Sequence, residues 1–250
     1  MRILVAVKRV PITGGRMVLT EDAQAIETKH LGFTISPHEE CGVEEAVRIV
    51  ESDGGEVVVL ALGPPEAEEQ IRDCMAIGAD RGIHLVSTDE WDAQGTAAAI
   101  VEAIRAEEEP FDLLIFGNES ADAGNYQVGI RVAYSLGLPV VTGLKGLAVD
   151  GGRARCEQEV PGGRDVYDVP LPVLVTVKEG LNLPRYPSVP AKLRAKGKPL
   201  DSRAVEPPAP KLEKLRLVVP EGIGKQAEVL GEGAAAAPRV VAVMQELGVA

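Results

Sequence analysis

Ile3-Leu4-Val5-Ala6-Val7, closed at once by Lys8-Arg9, is the stretch that decides the fold class. Five consecutive apolar residues without alternation predict a strand buried on both faces, as in a parallel sheet covered by helices. Beyond a polar loop, Ser36-Pro37-His38-Glu39 places Ser at an N-cap, Pro at the first helical position and Glu two residues after it. That is the sequence of a capping box. Val43, Ala46, Val47 and Val50 follow at i, i+3, i+4 and i+7, one face of a helix that Gly54-Gly55 ends. Working outward, Val57–Leu62 reads as a second buried strand and Ala67, Ile71, Cys74 and Met75 as a helix face. Ile83–Val86 is a short strand, Ala97, Ile100, Val101 and Ile104 a helix face, Asp112–Phe116 a strand, and Val128, Val132 and Leu136 a helix face. Strands alternating with helices mean βαβ units and a parallel sheet. The predicted fold class is α/β, a doubly wound, mostly parallel, Rossmann-like sheet.

The pattern changes near residue 140. Val140–Thr142, Leu147–Val149, Arg155–Val160 and Val166–Val169 read as short strands, with Gly151-Gly152 and Gly162-Gly163 as hairpin turns. They predict a small antiparallel extension, after which apolar Leu171–Val177 returns to the main sheet. Residues 185–210 are proline-rich and aperiodic, so they read as a long irregular surface segment of the kind that is functional or flexible. The tail holds one more strand, Leu215–Val219, and a helix from near Ala235 with Val240, Val243, Met244 and Leu247 as its inner face. The expected organisation is an α/β domain over 1–184 that includes the β extension from about 140, a loop and linker over 185–210, and a C-terminal arm over 211–250.

The 250 residues include 26 Lys+Arg against 38 Asp+Glu, a net charge of −12. That acidic balance excludes the basic footprint of a nucleic-acid binder. With 3% aromatic residues there is no stacking platform for single strands either. Cys41, Cys74 and Cys156 form no C-x-x-C pair, so neither a zinc site nor a disulfide framework is expected, and the usage fits a reducing compartment. The run Ile3–Val7 is too short for a signal peptide, and no apolar stretch is long enough to span a bilayer. A cytoplasmic protein is predicted.

In a doubly wound sheet, ligands bind beyond the carboxyl ends of the strands at the topological switch point. The candidate loops therefore follow Val7, Leu62 and Phe116. The third, Gly117-Asn118-Glu119-Ser120-Ala121-Asp122-Ala123-Gly124-Asn125, is rich in small residues and leads into a helix. Its backbone N–H groups can approach a phosphate, with positive potential from the helix N-terminus; an ordinary strand–helix connection reads the same way. Neither G-x-x-x-x-G-K-[ST] nor G-x-G-x-x-G occurs, nor H-E-x-x-H nor G-x-S-x-G, and nothing pairs a serine or cysteine with a base. Of the three histidines, His84 falls in a strand and reads as structural, whereas His38 lies in the first turn of a helix at the ligand edge. The residues describe a binder rather than a stand-alone enzyme. Residues 185–203 carry Arg185, Lys192, Arg194, Lys196, Lys198 and Arg203 against Asp201, a local net of +5 on an acidic body. Such a segment is either a docking element for an acidic partner or a solvated loop.

Four segments resemble one family. Val5-Ala6-Val7-Lys8-Arg9-Val10, Val43-Glu44-Glu45-Ala46-Val47-Arg48, Gly78-Ala79-Asp80-Arg81-Gly82-Ile83-His84 and Leu181-Asn182-x-Pro184-Arg185-Tyr186 resemble the beta subunit of electron-transfer flavoproteins, in order and at the family's spacing. The resemblance implies an adenine-nucleotide alpha-hydrolase-like fold and a heterodimer whose alpha subunit carries the redox-active FAD. It further implies electrons taken from acyl-CoA and related dehydrogenases in fatty-acid β-oxidation and passed to a membrane quinone oxidoreductase. In most of the family the beta subunit itself holds a structural AMP, and the resemblance implies the same for this chain. Carried over residue by residue, the implied AMP pocket is Ala6, Ser36, Pro37, His38, Glu39, Leu62, Gly117, Asn118, Glu119, Ser120, Ala121, Asp122, Ala123, Gly124, Asn125, Tyr126, Gln127 and Val128. The implied dehydrogenase-recognition loop uses Tyr186, Val189, Pro190, Leu193, Arg194 and Lys196, with Val189 where the family has its Leu anchor and Arg194, Lys196 and Lys198 as a basic rim.

The chain departs from the family pattern in places. Ser36-Pro37-His38-Glu39 stands for Asn-Pro-Phe-Cys, His38 replaces an aromatic near the flavin, and Val128 replaces a Thr. Gln158 and Pro161 replace a basic residue and an Asp. Bifurcating relatives with a second FAD in place of AMP share the step Gln127-Val128-Gly129, though here Ile130 follows. A universal-stress-like ATP-binding regulator is the alternative of a different class; it would lack Leu181–Tyr186 and the long tail.

Overall fold

The computed structural model describes residues 1–12, 17–219 and 228–249. Strand β1, Arg2–Val7, is a buried interior strand of the sheet, as its unbroken apolar run requires. The hairpin of β2 (Val10–Pro11) and β3 (Phe33–Thr34) leads to helix α1 (Pro37–Asp53), which packs Val43, Ala46 and Val47 into the core. The alternation then runs β4 (Glu56–Gly63), α2 (Glu68–Ile77), β5 (Arg81–Val86), α3 (Ala93–Arg105), β6 (Leu113–Gly117) and α4 (Val128–Leu136). Next come β7 (Val140–Asp150), β8 (Arg153–Val160), β9 (Gly163–Pro170), β10 (Val173–Val177), α5 (Val189–Ala195), β11 (Leu200–Ala204) and α6 (Ala237–Glu246).

The nine-stranded sheet has the order β11-β5-β4-β1-β6-β10-β7-β8-β9, parallel except for the hairpin of β8 and β9 at one end. The chain winds from β1 to β4 to β5 on one side, then crosses back to lay β6 on the other side of β1. That reversal is the switch point. One apolar layer, with Ile3, Val5, Val47, Ile71, Met75 and Ile115, joins the sheet to α1, α2 and α5. The opposite layer, with Leu4, Leu60, Ile100, Phe116 and Val132, joins it to α3 and α4. The doubly wound α/β class is what the sequence predicts, and Leu171–Val177 does return to the main sheet, as β10 between β6 and β7.

Three local expectations are corrected here. The two short strands at Val140–Thr142 and Leu147–Val149 are one strand, β7. The residues that looked like a break form a bulge, with Gly143 at φ 66 and a register shift between Leu144 and Gly146. The bulge lets one half of β7 pair parallel with β10 and the other half antiparallel with β8. The second hairpin turn is Pro161-Gly162, because Gly163 already pairs with Val160. Residues 185–210, read as irregular, contain α5 and β11, and β11 extends the sheet beside β5.

In the tail, Leu215–Val219 forms no strand. Apolar alternation alone makes no ladder without a neighbour, and this segment is tied down instead by Leu217 N–H donating to the Ala23 carbonyl at 2.8 Å. Helix α6 exists, but Val240, Met244 and Leu247 are exposed and Val243 only half-buried, so the face expected to point inward is largely uncovered among the described residues. No helix among the described residues is long and apolar enough to cross a membrane.

Candidate functional site

Parallel register brings the predicted residues to one edge. Ala6 on β1 pairs with Leu60 on β4 and Phe116 on β6, so Leu62, next to last in β4, and Gly117, the last residue of β6, stand at the carboxyl ends of the strands flanking β1. Helix α1 begins at the same edge. Ser36 is its N-cap, and Glu39 returns its side chain to accept the Ser36 N–H at 3.3 Å, the backward arm of the predicted capping box. The same Glu39 oxygen, Oε2, accepts the Lys8 N–H at 2.9 Å and so ties α1 to the loop after β1.

The loop from Gly117 to Gln127 crosses over this helix start. Ala121 N–H donates to Ser36 Oγ at 3.2 Å, and Lys8 Nζ meets Asp122 Oδ2 at 2.6 Å. His38 Nδ1 accepts the Glu179 N–H at 2.7 Å, which leaves Nε2 as the protonated nitrogen, 3.5 Å from Glu119 Oε1. Gly117 has no room for a side chain, since a Cβ there would lie 2.8 Å from Glu39 Cγ. Gly124 adopts φ +54, a conformation glycine reaches without strain.

The charges at this edge are balanced unevenly. Burial would raise the Asp122 carboxyl, but the attraction and hydrogen bond of Lys8 outweigh it and hold the group below the usual carboxylate range. Glu39 is different: it is 5% exposed, and burial pushes its carboxyl up to about 8 despite the two backbone donors and Lys8.

Helix α4 starts where the loop ends, on the opposite sheet face from α1. Its N-cap is Gln127, whose side chain makes no cap bond and instead accepts from Arg131 Nε at 2.8 Å. The first-turn N–H groups of α4 therefore remain available for a ligand, at the positive end of the helix. Gly129 lets this first turn close on Phe116 and Thr176, from which a Cβ would be 3.3 and 3.1 Å away.

Ser36, Glu39, Gly117, Ala121 and Asp122 are thus brought into one cleft, with His38 and Glu119 at its side. Asn118 is turned toward β10, where its Oδ1 accepts from Thr176 Oγ1 at 3.0 Å. Tyr126 is exposed with φ 56. Sequence reasoning missed Lys8 and Thr176. Lys8 follows a buried strand directly, a position the strand-end rule itself picks out, whereas Thr176 needed the placement of β10. His84 is structural as expected, its Nε2 3.1 Å from the Pro64 carbonyl. A hollow of about 470 Å³ beside Trp91, Arg203 and Pro208 contains none of the predicted ligand residues.

The basic segment is corrected in part. Arg185 is not free: it binds Glu44 and Glu51 on α1. Lys192 pairs with Asp73, and Lys198 turns inward to donate to the Met75 and Ala79 carbonyls at the end of α2. Lys198 therefore does not belong to an exposed rim, because the open carbonyls of a helix C-terminus hold it. Arg194 and Lys196 make no side-chain ion pair among the described residues and stay exposed. Val189 and Leu193 on α5 are 74% and 63% exposed, and Tyr186 just before it 97%. Pro190 stands in the first turn of α5, capped by Ser188. The anchor expected in a loop thus opens a short helix.

Residues 25–208 match the family described as the electron transfer flavoprotein domain. The electron transfer flavoprotein subunit beta of Bacillus subtilis is 33% identical over 203 residues, 80% of this chain and 78% of that protein. The subunit of the same name from Syntrophomonas wolfei is 34% identical over 221 residues, 88% of this chain and 86% of that protein. The Homo sapiens one is 35% identical over 204 residues, 80% of each. On a doubly wound sheet with its loops gathered at the switch point, likeness over this much of both chains shows that the chain belongs to the electron transfer flavoprotein family, among its beta subunits.

Proposed function

We propose that this chain is the beta half of a heterodimer. Its alpha partner holds most of a FAD at their interface and takes electrons from acyl-CoA and related dehydrogenases for a quinone oxidoreductase, while this chain binds a structural AMP. The observation that carries the nucleotide reading is the uncapped N-terminus of α4 facing a loop of small residues. The residues present fit AMP: first-turn N–H groups of α4 and the loop backbone around Gly124 receive the phosphate. Lys8 meanwhile neutralises Asp122, which would otherwise repel it, and His38 turns its Nε2 toward Glu119. Ala6 and Leu62 supply apolar contact at the strand ends.

The FAD supplies the electron chemistry when bound; the residues of this chain bind and orient. Tyr186, Val189, Pro190 and Leu193, with Arg194 and Lys196 beside them, form the surface offered to the dehydrogenase, and the bare apolar side of α6 packs on the alpha subunit.

Acid extraction of the heterodimer followed by nucleotide identification tests this reading. One AMP and one FAD per heterodimer is expected. Two FAD identifies the bifurcating type instead, and absence of any adenine nucleotide beyond one FAD refutes the AMP site.

A further inference from the structure

Glu39 is a buried carboxyl whose role is not exhausted by capping. Both of its backbone donors, Lys8 N–H and Ser36 N–H, converge on Oε2. Oε1 makes no hydrogen bond among the described residues, and the residue is 5% exposed, with its Cγ against Gly117 at the carboxyl end of β6. With the lone pairs of Oε2 occupied by donors, a proton on this group sits on Oε1.

We propose that Glu39 is neutral in the nucleotide-loaded protein and presents its Oε1 hydroxyl to an acceptor on the nucleotide, so that the site is a proton-linked one. This rests on the nucleotide reading given above and adds the chemistry by which one residue selects the ligand. Charged and titratable groups approach Glu39 from several elements. On the loop after β1, Lys8 favours ionisation, but its ammonium is spent on Asp122. On the β6–α4 loop, Asp122 opposes ionisation, and Glu119 is paired with His38. On α2, Cys74 is held neutral by burial. On α1 itself, burial and Glu179 hold the Glu40 carboxyl above its ordinary value. The balance leaves burial only partly compensated and places the change near pH 8. A dianionic phosphate entering the same cleft adds negative charge and favours the neutral form further.

The test uses the assembled heterodimer, stripped of nucleotide and titrated calorimetrically with AMP at pH 7.0, 8.0 and 9.5. The phosphate of AMP is dianionic throughout this range, since its second pKa is about 6. If ionised Glu39 excludes the ligand, the Kd rises about 30-fold from pH 7.0 to 9.5, one proton being linked to binding. Glu39→Gln puts an amide N–H where the hydroxyl stands, so its Kd should be nearly the same at both pH values and lower than the wild type's at pH 9.5. Adenosine run in parallel locates the acceptor: an equal pH dependence places it on the nucleoside, and a dependence confined to AMP places it on the phosphate.

A flat wild-type Kd overturns the proposal, as does a Glu39→Gln variant that keeps the wild-type pH dependence or binds no AMP while still folded. An infrared measurement on wild type needs no variant: a protonated-carboxyl band should be present at pH 7.0 and lost at pH 9.5, and its absence at pH 7.0 refutes the neutral Glu39. Failure of the wild type to bind AMP at any pH is a separate result, and refutes the nucleotide reading on which this inference stands.

Discussion

Arg185 fastens the segment that carries Tyr186 and Val189 to helix α1, and replacing it should show how much that fastening contributes. Its backbone N–H and Nε donate to Glu44 Oε2 at 3.1 and 2.9 Å, Nη2 to Glu44 Oε1 at 3.1 Å, and Nη1 to Glu51 Oε1 at 2.6 Å. The Glu44 side chain is 1% exposed, so Arg185→Leu strands a buried carboxylate. Breaking a buried pair from one side costs roughly 3–5 kcal/mol. Here Arg48 Nε still holds Glu44 Oε1 at 2.6 Å, and the Glu51 contact is at the surface. The expected loss is therefore nearer about 2 kcal/mol, or a Tm lower by about 4–8 °C for a chain of this length.

The pH dependence gives the sign. Burial raises the Glu44 carboxyl, but hydrogen bonds from Arg185 and Arg48 outweigh it and hold the group below its ordinary 4.5. A carboxyl lowered on folding contributes stability that is fully present above its unfolded value and lost as pH falls through its folded one. The gap between wild type and Arg185→Leu should accordingly be full at pH 7 and narrow below pH 4.5. Thermal unfolding of the purified chain, followed by circular dichroism at pH 7 and at pH 3.5, measures both. A loss below about 0.5 kcal/mol at pH 7, or a gap that does not change with pH, would refute the reasoning.

Two further substitutions probe the proposed surfaces. Gly124→Val forces a β-branched residue into φ +54; bound AMP per heterodimer should fall while the far-UV spectrum and the sheet survive, and full occupancy would move the phosphate elsewhere. Val189→Ala removes an exposed anchor, so stability should stay within about 0.5 kcal/mol while electron transfer from an acyl-CoA dehydrogenase loses about 1 kcal/mol or more of docking. This should appear as a raised Michaelis constant that added salt increases further through Arg194 and Lys196, and kinetics indifferent to both changes would remove this surface from docking.

Much of the site was legible because its rules are local. Ser36 and Glu39 announce a helix start by their spacing, and Ala6, Leu62 and Gly117 stand at the ends of runs too apolar to be anything but buried strands. The basic segment was misread for the opposite reason. Six cations in nineteen residues look like one patch, yet Lys198 spends its charge on the α2 carbonyls and Arg185 on α1, partners more than a hundred residues away in the chain. Gln127, placed in the implied pocket by resemblance, accepts instead from Arg131 on its own helix.

What belongs to the chain's order of residues alone is the class of fold and the edge at which a ligand is proposed. Apolar runs of five and helical periodicity reflect local backbone geometry, which needs no knowledge of distant neighbours. Where β10 and β11 insert, why Gly143 and Gly146 make a bulge rather than a break, and how two carboxylates so close together come to be neutralised or left buried depend on contacts between remote segments. Desolvation is the plainest case. Glu39 carries the same carboxyl as Glu51, but only the packed strands and α1 around Glu39 take water away from it, and the altered protonation follows from that loss of water.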